Sequence, residues 1–323
     1  MRRKCAIVAG GAGFVGSHLC RRLLDEGYEV DCIDSLLTGR RDNIDSLDTR
    51  GPFRFHHEDV ARPIRFDHNA DAVFHLASPA SPADYLRHPL ETLTAGSAGT
   101  ANTLELAREK GARYILASTS EVYGNPQVHP QPETYWGNVN PVGPRSAYDE
   151  AKRFAEALVT AHRATHGTST AIARVFNTYG PRMRRTDGRA VPAFITQALD
   201  GRPLTVTGTG SQTRSLRYVD DLVEGLLALH TSTVPGPLNL GNPEEITVLE
   251  LARQILRATG SGSPTVFVNR PQDDPDRRCP DITRAREELG WAPKTGLREG
   301  LDRTIAWYRA HRRTFSHDAP AWT

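Results

Sequence analysis

The stretch Gly10-Gly11-Ala12-Gly13-Phe14-Val15-Gly16 constrains the fold of this chain more than any other. It follows an apolar run, Cys5–Ala9, and opens a segment, 14–26, whose apolar residues recur at helical spacing. Glycines at 10, 13 and 16 permit a tight strand-to-helix turn, close backbone approach to a pyrophosphate, and close helix–sheet packing. The helix N-terminus beyond them favours an anion. A glycine triplet alone is a frequent accident; a strand before it and a helix after it are what give it meaning. The next apolar run, Glu29–Ile33, ends at Asp34, the spacing of a carboxylate that accepts from the ribose hydroxyls of a dinucleotide. A carboxylate there repels a 2′-phosphate, so NAD is expected rather than NADP, although Arg40 and Arg41 nearby pull the other way. Asp34 also has a simpler reading as a strand-end cap.

The alternation continues. Strands are expected at Phe53–His56, 72–76, 114–117 and 170–176, and helices at 90–110 and 147–166. Such alternation means βαβ units and an α/β, Rossmann-type, doubly wound parallel sheet. After Phe176, Pro and Gly punctuate shorter elements, with helices near 191–199, 220–230, Val248–Thr259 and 297–311. The expected organisation is an NAD-binding region over 1–178 with a return segment near 215–243. A smaller C-terminal substrate-binding region over 179–323 is interleaved with it.

Composition narrows the function classes. A chain of 323 residues fits one large or two interlocked domains. A formal net charge of +2 offers no general attraction to nucleic acid or a membrane surface. No apolar stretch reaches ~18 residues, so neither a membrane span nor a signal peptide is expected. Cys5, Cys20, Cys32 and Cys279 lack Cys-x-x-Cys spacing and read as reduced, structural thiols in a cytoplasmic protein, with no metal site expected. Only Lys4, Lys110, Lys152 and Lys294 are lysines among 40 cations, which makes a Lys at 152 informative.

Chemistry concentrates in two places. Thr119-Ser120-Glu121 ends a strand-like run, and Tyr148-Asp149-Glu150-Ala151-Lys152 lies on a helix, where residues four apart share a face. A nearby cation favours the phenolate and lowers its pKa. With Thr119 sharing the proton, Tyr148 becomes a base for a sugar alcohol while a nicotinamide takes the hydride. Tyr-x-x-x-Lys by itself recurs by chance. Asp59-Val60 is placed to meet the adenine edge. Leu76-Ala77, after His75, are placed to line the cofactor's path, while a lone His75 reads as a packed core residue. Arg182, Arg184, Arg185 and Arg189 follow Asn177 at the carboxyl edge of the sheet, where ligands of open α/β sheets bind. They also have the reading of a solvated basic face, Arg184 above all.

At these residues the chain resembles an extended short-chain dehydrogenase/reductase of the UDP-glucuronate decarboxylase (UDP-xylose synthase) family. The likeness runs from Gly10 to Trp291. Beyond the glycine loop it includes the run from His75 to Pro82, Ser118-Thr119-Ser120-Glu121-Val122-Tyr123-Gly124, the segments 176–183, 208–214 and 239–243, and Arg278-x-Pro280-Asp281, of which the Ser120-Glu121 pair and the run from His75 to Pro82 are the most specific. The resemblance implies hydride-transfer roles for Thr119, Tyr148 and Lys152. It places Ser120 and Glu121 beside the sugar's C5 and its carboxylate, with Arg278 as a second carboxylate-side residue. Asn177, Arg182, Arg185, Arg214 and Asp274 would hold the UDP portion, and Gly10, Gly13, Phe14, Val15, Gly16, Asp34, Asp59, Val60, Leu76, Ala77, Tyr148 and Lys152 the NAD. It also implies retained NAD, decarboxylation of UDP-glucuronate to UDP-xylose, and a homodimer built on helices 90–110 and 147–166. The chain departs from the family pattern at Thr94 and Gly96, where a cation and an amide are usual, and at Arg217.

Rival readings stay in view. Sugar-nucleotide 4,6-dehydratases resemble this pattern but carry Thr-Asp-Glu, and Ser120 is too weak an acid to replace that Asp. A 4-epimerase has no need of Glu121, and release of the UDP-4-keto-pentose would end the reaction early. A non-catalytic NAD sensor would typically have lost the Tyr or the Lys.

Overall fold

The computed structural model describes residues 2–270 and 276–311. Six strands from the first half form most of one sheet: β1 (Cys5–Ala9), β2 (Glu29–Ile33), β3 (Phe53–His56), β4 (Ala72–His75), β5 (Arg113–Thr119) and β6 (Thr170–Val175). A seventh, Leu238–Leu240, returns to pair with β6. The order is Leu238–Leu240, β6, β5, β4, β1, β2, β3, and every pairing is parallel.

Parallel sheets are covered on both faces, so their strands read as unbroken apolar runs. β1 is buried throughout, and its side chains alternate between two cores. Ala6 and Val8 join Phe74, Leu226 and Trp291; Ile7 and Ala9 join Leu104, Leu116 and Val159.

Ten helices are described: α1 (Phe14–Asp25), α2 (Pro82–Arg87), α3 (Pro89–Thr94), α4 (Thr100–Lys110), α5 (Ser146–His166), α6 (Ala190–Leu199), α7 (Val219–Thr231), α8 (Val248–Thr259), α9 (Thr283–Leu289) and α10 (Leu297–Ala310). α1 packs with α7, and α4 with α5. α6, α8 and α10 pack together around a separate apolar cluster that includes Phe194, Leu251 and Leu301.

The single helix expected over 90–110 is interrupted. A π turn, Ala95–Gly99, joins α3 to α4. The reason is close packing: a Cβ on Gly96 would lie 2.6 Å from the Ala151 Cβ on α5, and one on Gly99 2.8 Å from Val60. α2 and α9 escaped the periodicity because six or seven residues carry barely two turns. α2 has clear local signals nonetheless: the Ser81 side chain accepts from the Asp84 N–H, and Pro82 opens the helix.

β1 pairs with both β2 and β4, so the strand order reverses there. In open α/β sheets the crevice at that switch point, beyond the carboxyl strand ends, is where ligands bind. No described helix is long and apolar enough to cross a membrane. All four cysteines are buried and unpaired.

Candidate active site

The carboxyl ends of the strands open into one large cleft of about 1940 Å³. A single small-molecule site usually takes roughly 300–1,000 Å³. This cleft therefore has room for a dinucleotide and a second ligand together.

The dinucleotide side starts at the glycine loop. Gly10 has φ +81°, and a Cβ there would lie 2.6 Å from the Ala77 nitrogen; a Cβ on Gly16 would lie 2.1 Å from the Gly10 oxygen. Only glycine fits at either position. Asp34 braces the loop: its carboxylate accepts from the Ala12 N–H at 3.0 Å and the Leu36 N–H at 2.9 Å. Burial pushes its pKa up, against those hydrogen bonds. Gly10, Gly13, Phe14, Val15, Gly16, Asp34, Asp59, Val60, Leu76 and Ala77 all line the cleft. The cradle fits NAD: bare backbone where a pyrophosphate must approach, and a carboxylate rather than a cation at the second strand's end. Arg40 and Arg41 are not among the lining residues and pair with Asp42 and Asp45. His75 is a core residue, as its lone appearance suggested.

Thr119 ends β5, and its hydroxyl caps the short 3-10 turn Ser120–Tyr123 by accepting from the Glu121 N–H at 3.2 Å. Tyr148 and Lys152 face the cleft from the first turns of α5. The phenol differs from expectation. Burial pushes its pKa up to about 12, and a hydrogen bond with Thr119 only partly offsets this. Lys152 is no close counter-charge, because its Nζ is 6.0 Å from the phenol ring centroid and donates to the Ala117 carbonyl at 2.9 Å. Burial lowers the ammonium itself to about 8, with Glu156 opposing. Tyr85, from α2, stacks on Tyr148 with centroids 5.3 Å apart.

Glu121 stands between two arginines. Arg278 Nη1 is 2.8 Å from its Oε1, and Arg145 pairs with its Oε2. Burial works against the charge, but the two guanidiniums overcome it and hold the carboxyl well below its ordinary range. Arg278 also donates to the Ser120 hydroxyl at 3.1 Å and to the Gly124 carbonyl at 2.9 Å. Burial and Glu121 raise the neighbouring Asp149 to about 7, so where it is protonated the two cations face one carboxylate and the corner is positive, which suits an incoming carboxylate. An Asp at 120 would cancel that charge.

The anion-binding residues divide differently from their sequence reading. Asn177, Arg182 and Arg214 line the cleft, and Arg182 donates to the Ser17 carbonyl at 3.2 Å. Arg185 is not among the lining residues; it pairs with Asp200. Arg184, read as a solvated face, lines the cleft and pairs with Asp84, and Arg189 lines it and pairs with Asp187. Asp274 lies outside the described residues. Arg217 is buried away from the cleft, donating to Thr178 Oγ1 at 2.7 Å and lying 5.9 Å from the Trp291 ring. Sequence reasoning missed Arg145 and Tyr85, and named Arg189 only as one of the basic cluster after Asn177. Arg145 had a usable signal, since it stands at the N-cap of α5, three residues before Tyr148.

A glycine-loop dinucleotide cradle beside a Thr–Tyr–Lys group and an arginine-clamped glutamate defines a short-chain dehydrogenase/reductase that works on an anionic substrate. Comparison with known proteins agrees. The model of the NAD dependent epimerase/dehydratase family matches residues 6–241. UDP-glucuronic acid decarboxylase 1 of Xenopus tropicalis is 50% identical over 307 residues, 95% of this chain and 72% of that protein. The Arabidopsis thaliana UDP-glucuronic acid decarboxylase 1 is 49% identical over 308 residues, 95% of this chain and 70% of that protein. A solved UDP-glucuronic acid 4-epimerase from Bacillus cereus, in complex with UDP-glucuronic acid and NAD, superposes with a TM-score of 0.83 at 27% identity, covering 95% of this chain and 99% of that one. The chain belongs to the NAD dependent epimerase/dehydratase family and, within it, to the UDP-glucuronic acid decarboxylases.

Proposed function

We infer that this protein decarboxylates UDP-glucuronate to UDP-xylose with bound NAD, by oxidation at C4, loss of carbon dioxide and re-reduction. The observation that carries the reading is the positive corner at Ser120, Glu121, Arg145 and Arg278, in which Ser120 and Glu121 lie on the turn that directly follows Thr119. It supplies a place for the uronate carboxylate close to the oxidising group. Gly10, Gly13, Gly16 and Asp34 are the residues that would hold NAD, which would supply a reversible hydride acceptor for the sugar.

Tyr148, with Thr119, takes the C4 hydroxyl proton. The ketone formed is β to the carboxylate, so loss of carbon dioxide leaves its electron pair delocalised as an enolate. Thr119 and Tyr148 donate to that oxygen as it gains charge. Arg278 and Ser120 align the carboxylate, and Glu121 keeps Arg278 from holding it too tightly to depart. C5 is then protonated, and Tyr148 returns its proton as C4 is reduced.

Asn177, Arg182 and Arg214 are proposed to hold the diphosphate, joined by Arg184 and Arg189 in place of Arg185. Residues 1–178 with the return strand are proposed as the NAD-binding unit, and 179–323 as the sugar-nucleotide unit. The unpaired, buried cysteines support a cytoplasmic location. The experiment is incubation with UDP-glucuronate and identification of the nucleotide sugar formed. UDP-xylose with released carbon dioxide is expected; a C4-inverted hexuronate would favour the 4-epimerase reading.

A further inference from the structure

Behind the catalytic corner lies a second, smaller space of about 230 Å³. Glu121, Arg145 and Arg278 line both it and the main cleft, so these three side chains form a partition. The remaining lining is Gly124, Asn125, Asn138, Val139, Asn140 and Asp149, which is largely polar. At about 30 Å³ per water, a polar chamber of this size holds several waters.

Decarboxylation consumes one proton per turnover. The bond from C5 to the carboxylate breaks, carbon dioxide leaves, and the electron pair left on the enolate takes a proton from solvent to form the new C5–H bond. Glu121 is a poor source, because two arginines keep it ionised. Among the described residues, the other carboxyl on the chamber is Asp149. It is 5% exposed, and its Oδ1 is buried without a hydrogen-bond partner.

Resting on the decarboxylase reading, we propose that this chamber is the route by which solvent protons reach C5, and that Asp149 is the residue that holds the proton there and passes it on through chamber water and the Glu121 partition. Asp149 then recovers a proton from solvent through the same chamber. The groups facing it are Glu121 from the 3-10 turn, Arg278 from the C-terminal segment, Tyr85 from α2, and Arg145, Tyr148 and Glu150 from its own helix end. Burial and Glu121 push its pKa up, against the arginines, so that it carries a proton close to neutral pH.

The test uses Asp149→Asn, which keeps the shape and removes the titrating group, and Val139→Trp, which fills the chamber without adding or removing a charge. The wild type is expected to lose kcat as pH rises through neutrality. Asp149→Asn is expected to lose that limb and to fall by about tenfold or more in kcat, with KM for UDP-glucuronate unchanged within about twofold. Val139→Trp is expected to lower kcat while keeping the limb. Wild-type kcat and pH profile in Asp149→Asn would overturn the proposal, and should that variant fail to fold, wild-type kcat in Val139→Trp would do the same. A wild type that releases no carbon dioxide from UDP-glucuronate defeats the underlying reading first, and this one with it.

Discussion

Tyr148 is a phenol that burial keeps protonated, with a pKa near 12 in the protein alone. A phenol with that value is almost wholly protonated at neutral pH, and a cation arriving beside it would favour the phenolate that accepts a proton. The oxidised nicotinamide carries such a charge, and a nearby positive charge favours the phenolate. The difference in tyrosinate absorbance between wild type and Tyr148→Phe should titrate near 12 without NAD and clearly lower with it. Tyr148→Phe should also lose turnover by at least about 10²-fold while still binding NAD, because the glycine loop and Asp34 are untouched. A variant within a fewfold of wild type would remove Tyr148 from the mechanism. Glu121 makes the opposite pH statement. Its folded pKa is depressed from 4.5 to about 2, so the stability it contributes is present above the ordinary carboxylate range and is lost as pH falls through that window. The melting-temperature gap between wild type and Glu121→Gln should therefore be widest near neutrality and shrink toward pH ~3.

At the scale of elements, the joint between α3, the π turn and α5 is the tightest place near the site. Gly96 admits no Cβ without displacing Ala151, whose carbonyl oxygen is also only 2.8 Å from that point. Gly96→Ala should destabilise by about 1–3 kcal/mol through overpacking. Ala151→Gly in the same chain should recover part of the loss, since the two positions touch and are not additive. Thermal unfolding of the four-member cycle measures this, and additive costs would show that the contact is loose. The strand and helix bodies were legible from apolar runs because burial on both faces leaves no other choice for β1, β4 and β5. The interruption at 95–99 was not, since nothing in its local periodicity names Ala151, more than fifty residues away.

Across the whole molecule, the cradle and the Thr119–Tyr148–Lys152 group were readable because each is local: a loop between adjacent elements, or one helix face. What stayed hidden needed long-range pairing. Arg185 turned out to serve Asp200, Arg184 to meet Asp84, and Lys152 to spend its charge on a strand carbonyl. A further whole-molecule consequence follows from exposed apolar residues on the paired helices. Leu90 and Leu93 on α3 and Phe154 on α5 are 73%, 40% and 50% exposed, and α3 and α5 pack side by side. A two-fold interface is the commonest way to cover such a face. We propose a homodimer there: light scattering at micromolar concentration should give twice the chain mass, and Phe154→Glu should give a monomer. A monomeric wild type would contradict it.

The central claim is that one site oxidises C4, expels the carboxylate and returns the same hydrogen to C4. It is tested most directly by running the reaction on UDP-glucuronate in deuterium oxide and reading the nucleotide sugar by proton NMR. UDP-xylose with protium retained at C4 and a single deuterium at C5, accompanied by carbon dioxide, is the expected product. A hexuronate with its carboxylate intact and C4 inverted, or a pentose that carries no deuterium at C5, would contradict it.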